Sequence, residues 1–295
     1  MTASQPHRIQ LLLGRLGAGV IRAYLLVFGR AVRKVDVPWL VGPIGNDGQI
    51  GDRPYQDVAE REGLTIDNEA TDAGLVPDFE ALSGQSFDPA KTDPAVRHFY
   101  EHTARYDLDV WSETRFPGRL FLWLIVSTVS RYMNQLNFPI FGLETSRGMT
   151  SEVIPLRDRD GRAIHTGWQR RLLGSGRIIY SGFYTTVCPP RSQSSCVKVV
   201  FPLPRGNATV LLRPQHDQQG QFQLLSIGKG FGDAGFYRTI ELDAERLKVR
   251  YLKTLREQFT VFTDAEGALR CDHDVHFLGI SMLRLHYRMR QRDGA

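Results

Sequence analysis

From about Met149 to the C-terminus the sequence is a run of short apolar or alternating segments, each closed by a turn signal. The turns are Asp158-Arg159-Asp160-Gly161, Gly174-Ser175-Gly176, Pro204-Arg205-Gly206-Asn207, Gln218-Gln219-Gly220 and Asp264-Ala265-Glu266-Gly267. Between them lie Ile178–Val187, Val197–Phe201, Thr209–Arg213, Phe222–Ile227 and Phe259–Thr263, rich in β-branched and aromatic residues. This spacing predicts roughly eight to ten strands, mostly joined as hairpins. So many strands must close on themselves or stack, because an open edge is a site for mispairing.

The expected fold is therefore α+β, with N-terminal helices packed on a C-terminal antiparallel β-barrel of lipocalin-like architecture. A strongly curved sheet gripping a helix is the alternative, and Asp243–Glu257 would then be that helix. The division expected is a helical, loop-rich region over 1–140 and a β-domain over 141–295, forming one integrated unit. In the last segment Leu283, Leu285, Tyr287 and Met289 alternate with Arg284, His286 and Arg288. The apolar set must face a core, and the basic set faces solvent or a polar lumen. Ile178–Thr186 is apolar on both faces, so it should be covered on both sides, with helices outside.

The net charge of +5 conceals a segregation. Residues 1–35 carry six basic side chains and no acid; residues 36–113 carry 17 acids and 5 bases; the remainder carries 26 bases and 15 acids. Either the acidic stretch lies against basic surface elsewhere in the fold, or two faces differ in partner. Basic residues are not interleaved with aromatics, and neither a helix-turn-helix nor a zinc-finger spacing occurs, so nucleic acid is not an expected partner. Cys188, Cys196 and Cys271 are too few and too scattered for a disulfide framework, which points to reduced thiols in a cytoplasmic protein.

Residues 8–33 have helical periodicity, with Arg8, Arg15 and Arg22 aligned along one flank. Two arginines inside the apolar run argue against a membrane span, at about 5–7 kcal/mol on the insertion scale. The helix would dock its apolar stripe on the rest of the protein or lie on an anionic membrane surface. Residues 36–93, rich in Gly, Pro and Asp, read as a connector wrapping the domain, with a short helix at Tyr55–Glu62. Asp93-Pro94 starts a helix expected to reach about Asp109, and a second apolar helix is expected over Arg119–Asn137.

Three local patterns carry potential chemistry. His98-Phe99-Tyr100-Glu101-His102 is a literal H-x-x-E-H, which in inverted zinc peptidases puts two histidines and a water-activating glutamate on one helix face. A third ligand would have to come from Glu144 or Glu152. The competing expectation is a Glu101–Arg105 ion pair with one histidine half-buried. A metal-free acid–base role for His98, Glu101 or His102 is the third. Gly230-Phe231-Gly232-Asp233-Ala234-Gly235 matches a dinucleotide fingerprint, but a strand-like segment follows it, so a glycine hairpin is expected. Asp272-His273-Asp274-Val275-His276 has metal-binding residue types at a spacing that suits a solvated turn better.

The function expected is binding of an apolar or amphipathic small molecule of lipid, polyketide or terpenoid type, without a cofactor or metal. Trp168, Tyr180, Phe183, Tyr184 and Tyr237 are candidates for the wall, and Arg284 for the contact that orients a carboxylate or carbonyl. Such a pocket serves as a carrier, or as a cofactor-independent isomerase or cyclase in which His98, Glu101, His102 and His286 are the candidate acid–base groups. A peripheral membrane or interaction protein led by the N-terminal helix, and a metal-dependent hydrolase, are the alternatives.

Overall fold

A computed structural model describes residues 8–46, 50, 53–114, 116–120, 148–174, 176 and 178–292. Helix α1 spans Arg8–Phe28, α2 Pro54–Glu62 and α3 Pro94–Glu101. The early strands are β1 (Arg30–Arg33), β2 (Thr65–Ile66) and β3 (Tyr106–Glu113). Then follow β4 (Met149–Arg157), β5 (Ala163–Leu172), β6 (Ile178–Val187), β7 (Cys196–Leu203), β8 (Gly206–His216) and β9 (Phe222–Leu225). The last five are β10 (Gly235–Glu241), β11 (Arg246–Leu252), β12 (Leu255–Thr263), β13 (Leu269–Phe277) and β14 (Ile280–Gln291).

These strands form one antiparallel sheet, ordered β2-β4-β5-β6-β7-β8-β9-β12-β13-β14-β3. The sheet forks at β8, whose first half pairs with β10 and whose second half pairs with β9. The branch continues through β11 to β1. The sheet is strongly curved but does not close into a lipocalin-like barrel: among the described residues no ladder joins β3 to β4. Pro155 removes a donor from β4, as suits a strand near a sheet edge. The edges are nevertheless linked, because Arg292 pairs with Asp107 and donates to the Ser151 carbonyl, at 2.9 and 3.2 Å.

The concave face holds the main core. Leu108 and Val110 of β3, Val197 and Val199 of β7, Leu224 of β9 and Leu285 of β14 all point into it. Its end is filled by Phe79, Val96, Phe99 and Tyr100, which come from α3 and a 3-10 turn at Phe79–Leu82. On the convex face α2 sets Tyr55, Val58 and Ala59 against Leu156, Phe183 and Val200, so a helix does cover the two-sided β6 from outside. A third cluster joins Trp39 and Leu40 to Tyr237, Leu247 and Val249 on the forked branch. The acidic middle does lie on basic surface: Asp67 pairs with Arg157, Asp107 with Arg292 and Asp109 with Arg290.

Several local expectations are corrected. The helix begun by Asp93, whose carboxylate caps Ala95 at 2.8 Å, ends at Glu101 and not near Asp109. Tyr106, Leu108 and Val110 are buried alternately with Asp107 and Asp109, and this two-residue period makes β3 a strand. Asp243–Glu257 holds β11 and the start of β12, so no gripped helix lies there. Asp272–His276 is not a turn but the centre of β13, because Leu269, Cys271 and His273 share its buried face. The expected helix over Arg119–Asn137 falls outside the described residues from Phe121 onward, as does Glu144. The glycine-rich loop is a connection into β10, with positive φ at Gly230, Gly232 and Gly235.

Candidate ligand site inside the curved sheet

The concave face is apolar by alternation, and three strands break the pattern at inward positions. In β5 Trp168 is followed by Arg170; in β12 Leu255 is followed by Glu257 and Phe259; in β13 Cys271 is followed by His273. All three polar side chains line one enclosed cavity, together with Tyr180, Tyr184 and Tyr287. A second chamber adjoins it and shares Arg170, Tyr184, Leu212, Phe259 and Tyr287 in its wall. Each chamber has a volume of about 40 Å³, enough for a few water molecules or a small head group.

Arg170 is the centre of the arrangement. It is 8 % exposed, and its guanidinium carbon lies 3.6 Å over the Trp168 ring and 5.2 and 5.0 Å from the Tyr180 and Tyr287 rings. Trp168 is fixed in turn by its indole N–H, which donates to Ser151 Oγ at 2.9 Å. An arginine side chain does not surrender its proton in a protein, so this is a buried cation. Among the described residues no carboxylate lies within ion-pairing distance of it, and its buried Nε has no hydrogen-bond partner. Its polar neighbours are phenols. Burial raises Tyr180, Tyr184 and Tyr287 above the ordinary tyrosine range, so all three are neutral at pH 7 and none supplies the missing negative charge. The Tyr180 and Tyr184 hydroxyls are hydrogen-bonded to each other.

Across the cavity His273 stacks on Phe259, ring centroids 3.8 Å apart, and its Nε2 is buried without a hydrogen-bond partner. Glu257 Oε1 lies 3.8 Å from that nitrogen, too far for a hydrogen bond. Cys271, in the second chamber, has its thiol pushed up to about 12 by burial, so it is no thiolate nucleophile at neutral pH.

The residues singled out from sequence divide sharply. Tyr180 and Tyr184 line the cavity and Trp168 the second chamber. Phe183 points the other way, onto Tyr55 with centroids 5.0 Å apart. Tyr237 belongs to the forked branch, where its hydroxyl accepts from the Gly232 and Asp233 amides and donates to the Asp233 carbonyl. Arg284 pairs with Asp274 on the outward face of the sheet, and His286 Nδ1 sits 2.7 Å from Asp272 on that same face.

The H-x-x-E-H residues form a separate cluster at the end of α3, and it is internally satisfied. His98 Nδ1 lies 2.8 Å from the Tyr106 hydroxyl, Glu101 accepts from the Phe79 amide at 3.1 Å, and His102 Nδ1 lies 2.7 Å from Asp72. Arg105 pairs with Asp72 and not with Glu101, because α3 ends before a fourth residue can complete the helical spacing. Among the described residues no group of three His, Cys, Asp or Glu side chains is placed to hold a metal ion.

Arg170, Glu257, His273 and Tyr287 were not among the site candidates drawn from sequence. The signal was present: each of the first three is a charged or titratable residue in the inward register of an otherwise apolar alternation. Reading it required knowing that 246–263 and 269–277 are strands.

No family model matches the chain, and no solved structure does. An uncharacterized membrane protein of Bacillus subtilis (strain 168), YndJ, is similar at 26 % identity over 233 residues, 76 % of this chain and 39 % of that protein. The chain therefore spans well under half the length of this relative. No helix among the described residues is long and apolar enough to cross a membrane.

Proposed function

We propose that the chain binds a compact amphipathic small molecule on the concave side of its curved sheet, as a carrier or as a cofactor-independent isomerase or cyclase. One observation carries this: Arg170 and His273, buried and with unused hydrogen-bonding capacity, converge with Glu257 on an enclosed cavity walled by aromatic and aliphatic side chains. A few polar side chains converging on an otherwise apolar wall are the usual means by which a pocket fixes a ligand's orientation. Chamber volumes of about 40 Å³ favour a small ligand, or the head of a larger one, over a fully enclosed lipid. In a catalytic version Glu257 and His273 are the titratable groups that face the ligand, and orientation against the aromatic wall supplies the rest. Methyl NMR of the full chain, titrated with small neutral and acidic aromatic compounds, tests the reading. Ligand-dependent shifts confined to Val199, Leu212 and Leu285 are expected; a panel that moves none of them overturns it.

A second reading rests on α1. Leu16, Val20, Tyr24 and Val27 recur at helical spacing and are 60 %, 69 %, 43 % and 70 % exposed, while Leu25 is buried. Basic Arg22, Arg30, Arg250 and Lys253 flank this stripe near the end of the helix. An exposed apolar stripe beside cations matches an anionic membrane surface, and the similar Bacillus protein is described as a membrane protein. Full-length chain should float with phosphatidylglycerol-containing vesicles, and the triple variant Leu16→Glu/Val20→Glu/Val27→Glu should not. Equal behaviour of the two would remove this reading.

A further inference from the structure

We infer that the ligand of the interior site is an anion, with a carboxylate that docks on the buried guanidinium of Arg170; this rests on the interior-binding reading above. The first ground is the missing charge. Cations enclosed in protein are ordinarily paired, because desolvation without a counter-ion is strongly unfavourable. Arg170 is enclosed, stacked on Trp168, and has no carboxylate at ion-pairing distance among the described residues. The second ground is unused bonding capacity. Arg170 shares a side-chain hydrogen bond with Tyr287, yet its Nε–H has no partner, and a carboxylate accepts two parallel bonds from an arginine fork. The third ground is fit: the space beside Arg170 suits a head group of a few heavy atoms, and the phenols around it are donors for the remaining oxygen lone pairs.

The polarity of the rest of the cavity agrees. Glu257 and His273 face Arg170 from β12 and β13, so the ligand's carboxylate meets the cation on one side and the glutamate is kept away on the other. The apolar wall from Val199, Phe201 and Leu285 then takes the ligand's hydrocarbon part. Were Arg170 present only to stabilise the fold, its burial would be a poor device, since an apolar residue of similar volume commonly does as well or better.

The test compares benzoate with its neutral isostere benzamide, titrated into the full chain, an Arg170→Gln variant and a Glu257→Gln variant. Wild type should bind benzoate about tenfold or more tighter than benzamide, the margin of one charge-assisted hydrogen-bonded pair. Arg170→Gln should erase that preference by lowering benzoate affinity about tenfold more than benzamide affinity, and its melting temperature should equal or exceed that of wild type. Glu257→Gln, which keeps the arginine, should strengthen benzoate binding alone. If wild type binds both compounds equally, the carboxylate assignment falls and the interior site stands. If neither compound binds, both readings fall. A benzoate preference that survives in Arg170→Gln also overturns the assignment, by placing the anion elsewhere.

Discussion

Two polar clusters in this molecule invite opposite interpretations in sequence and in space. His98, Glu101 and His102 are contiguous and spell a catalytic-looking motif, yet in the fold each has a partner of its own in Tyr106, Phe79 or Asp72. Arg170, Glu257 and His273 lie about 100 residues apart at their widest and spell nothing, yet they meet across one cavity, and two of them retain unused bonding capacity. The contrast teaches that residue types at a suggestive spacing are weaker pointers to a site than unsatisfied groups in an enclosed space. Hydrogen bonds already made locally leave little to offer a ligand.

Substitutions in the interior wall have the largest expected effect. Trp168→Ala removes a buried indole and its bond to Ser151, and should cost about 3–5 kcal/mol in urea unfolding. Arg170→Met, beside it, should cost less than about 1 kcal/mol or raise stability, since loss of the cation–π stack is offset by relief of the desolvation penalty of a buried cation. Equal losses in the two variants would make Arg170 a structural residue and dissolve the distinction between the clusters.

Lys198 sharpens the point as a second buried cation with a different solution. It is 4 % exposed on the convex side of β7, donates to the Val41 carbonyl, and burial lowers its pKa to about 8. The unfolded chain, with an ordinary lysine pKa near 10.4, binds more protons between those values, so stability should rise as pH increases from 8. Relative to Lys198→Met, wild type should gain about 2 kcal/mol between pH 7 and 9.5. Parallel curves for the two proteins would mean that Lys198 keeps its charge in the fold. Arginine has no such escape, and among the described residues no carboxylate pairs with Arg170.

The smallest effect belongs to the motif cluster. His98→Ala should cost about 1 kcal/mol through loss of its bond to Tyr106, with benzoate affinity unchanged when His102→Ala is added. A tenfold loss of ligand binding in that double variant would merge the two clusters into one functional unit.

Much of the architecture was legible before the structure. Alternation in β14 placed Leu283, Leu285, Tyr287 and Met289 in the core, where all are 6 % exposed or less. Asp93-Pro94 marked the start of α3, and the strand after Gly235 excluded a dinucleotide loop. Where the reading failed, competing periods were the cause. The helix expected to reach about Asp109 overlaps the first half of Tyr106–Glu113, whose own period is two, and in Asp272–His276 residue type suggests a turn where register makes a strand. Phe183 and Tyr184 are neighbours of equal aromatic character, and only the pleat sends one to the cavity and the other to Tyr55.

Local patterns in the chain specify an antiparallel, turn-punctuated sheet with helices on its flanks, because period and turn chemistry act within a few residues. Whether the sheet closes, which aromatic faces inward, and which charged side chains lose their partners depend on pairing between strands far apart in the chain. Those were decided only in the tertiary structure: desolvation of Arg170 arises when β5, β6 and β14 bring Trp168, Tyr180 and Tyr287 around it, and no window of sequence contains all four.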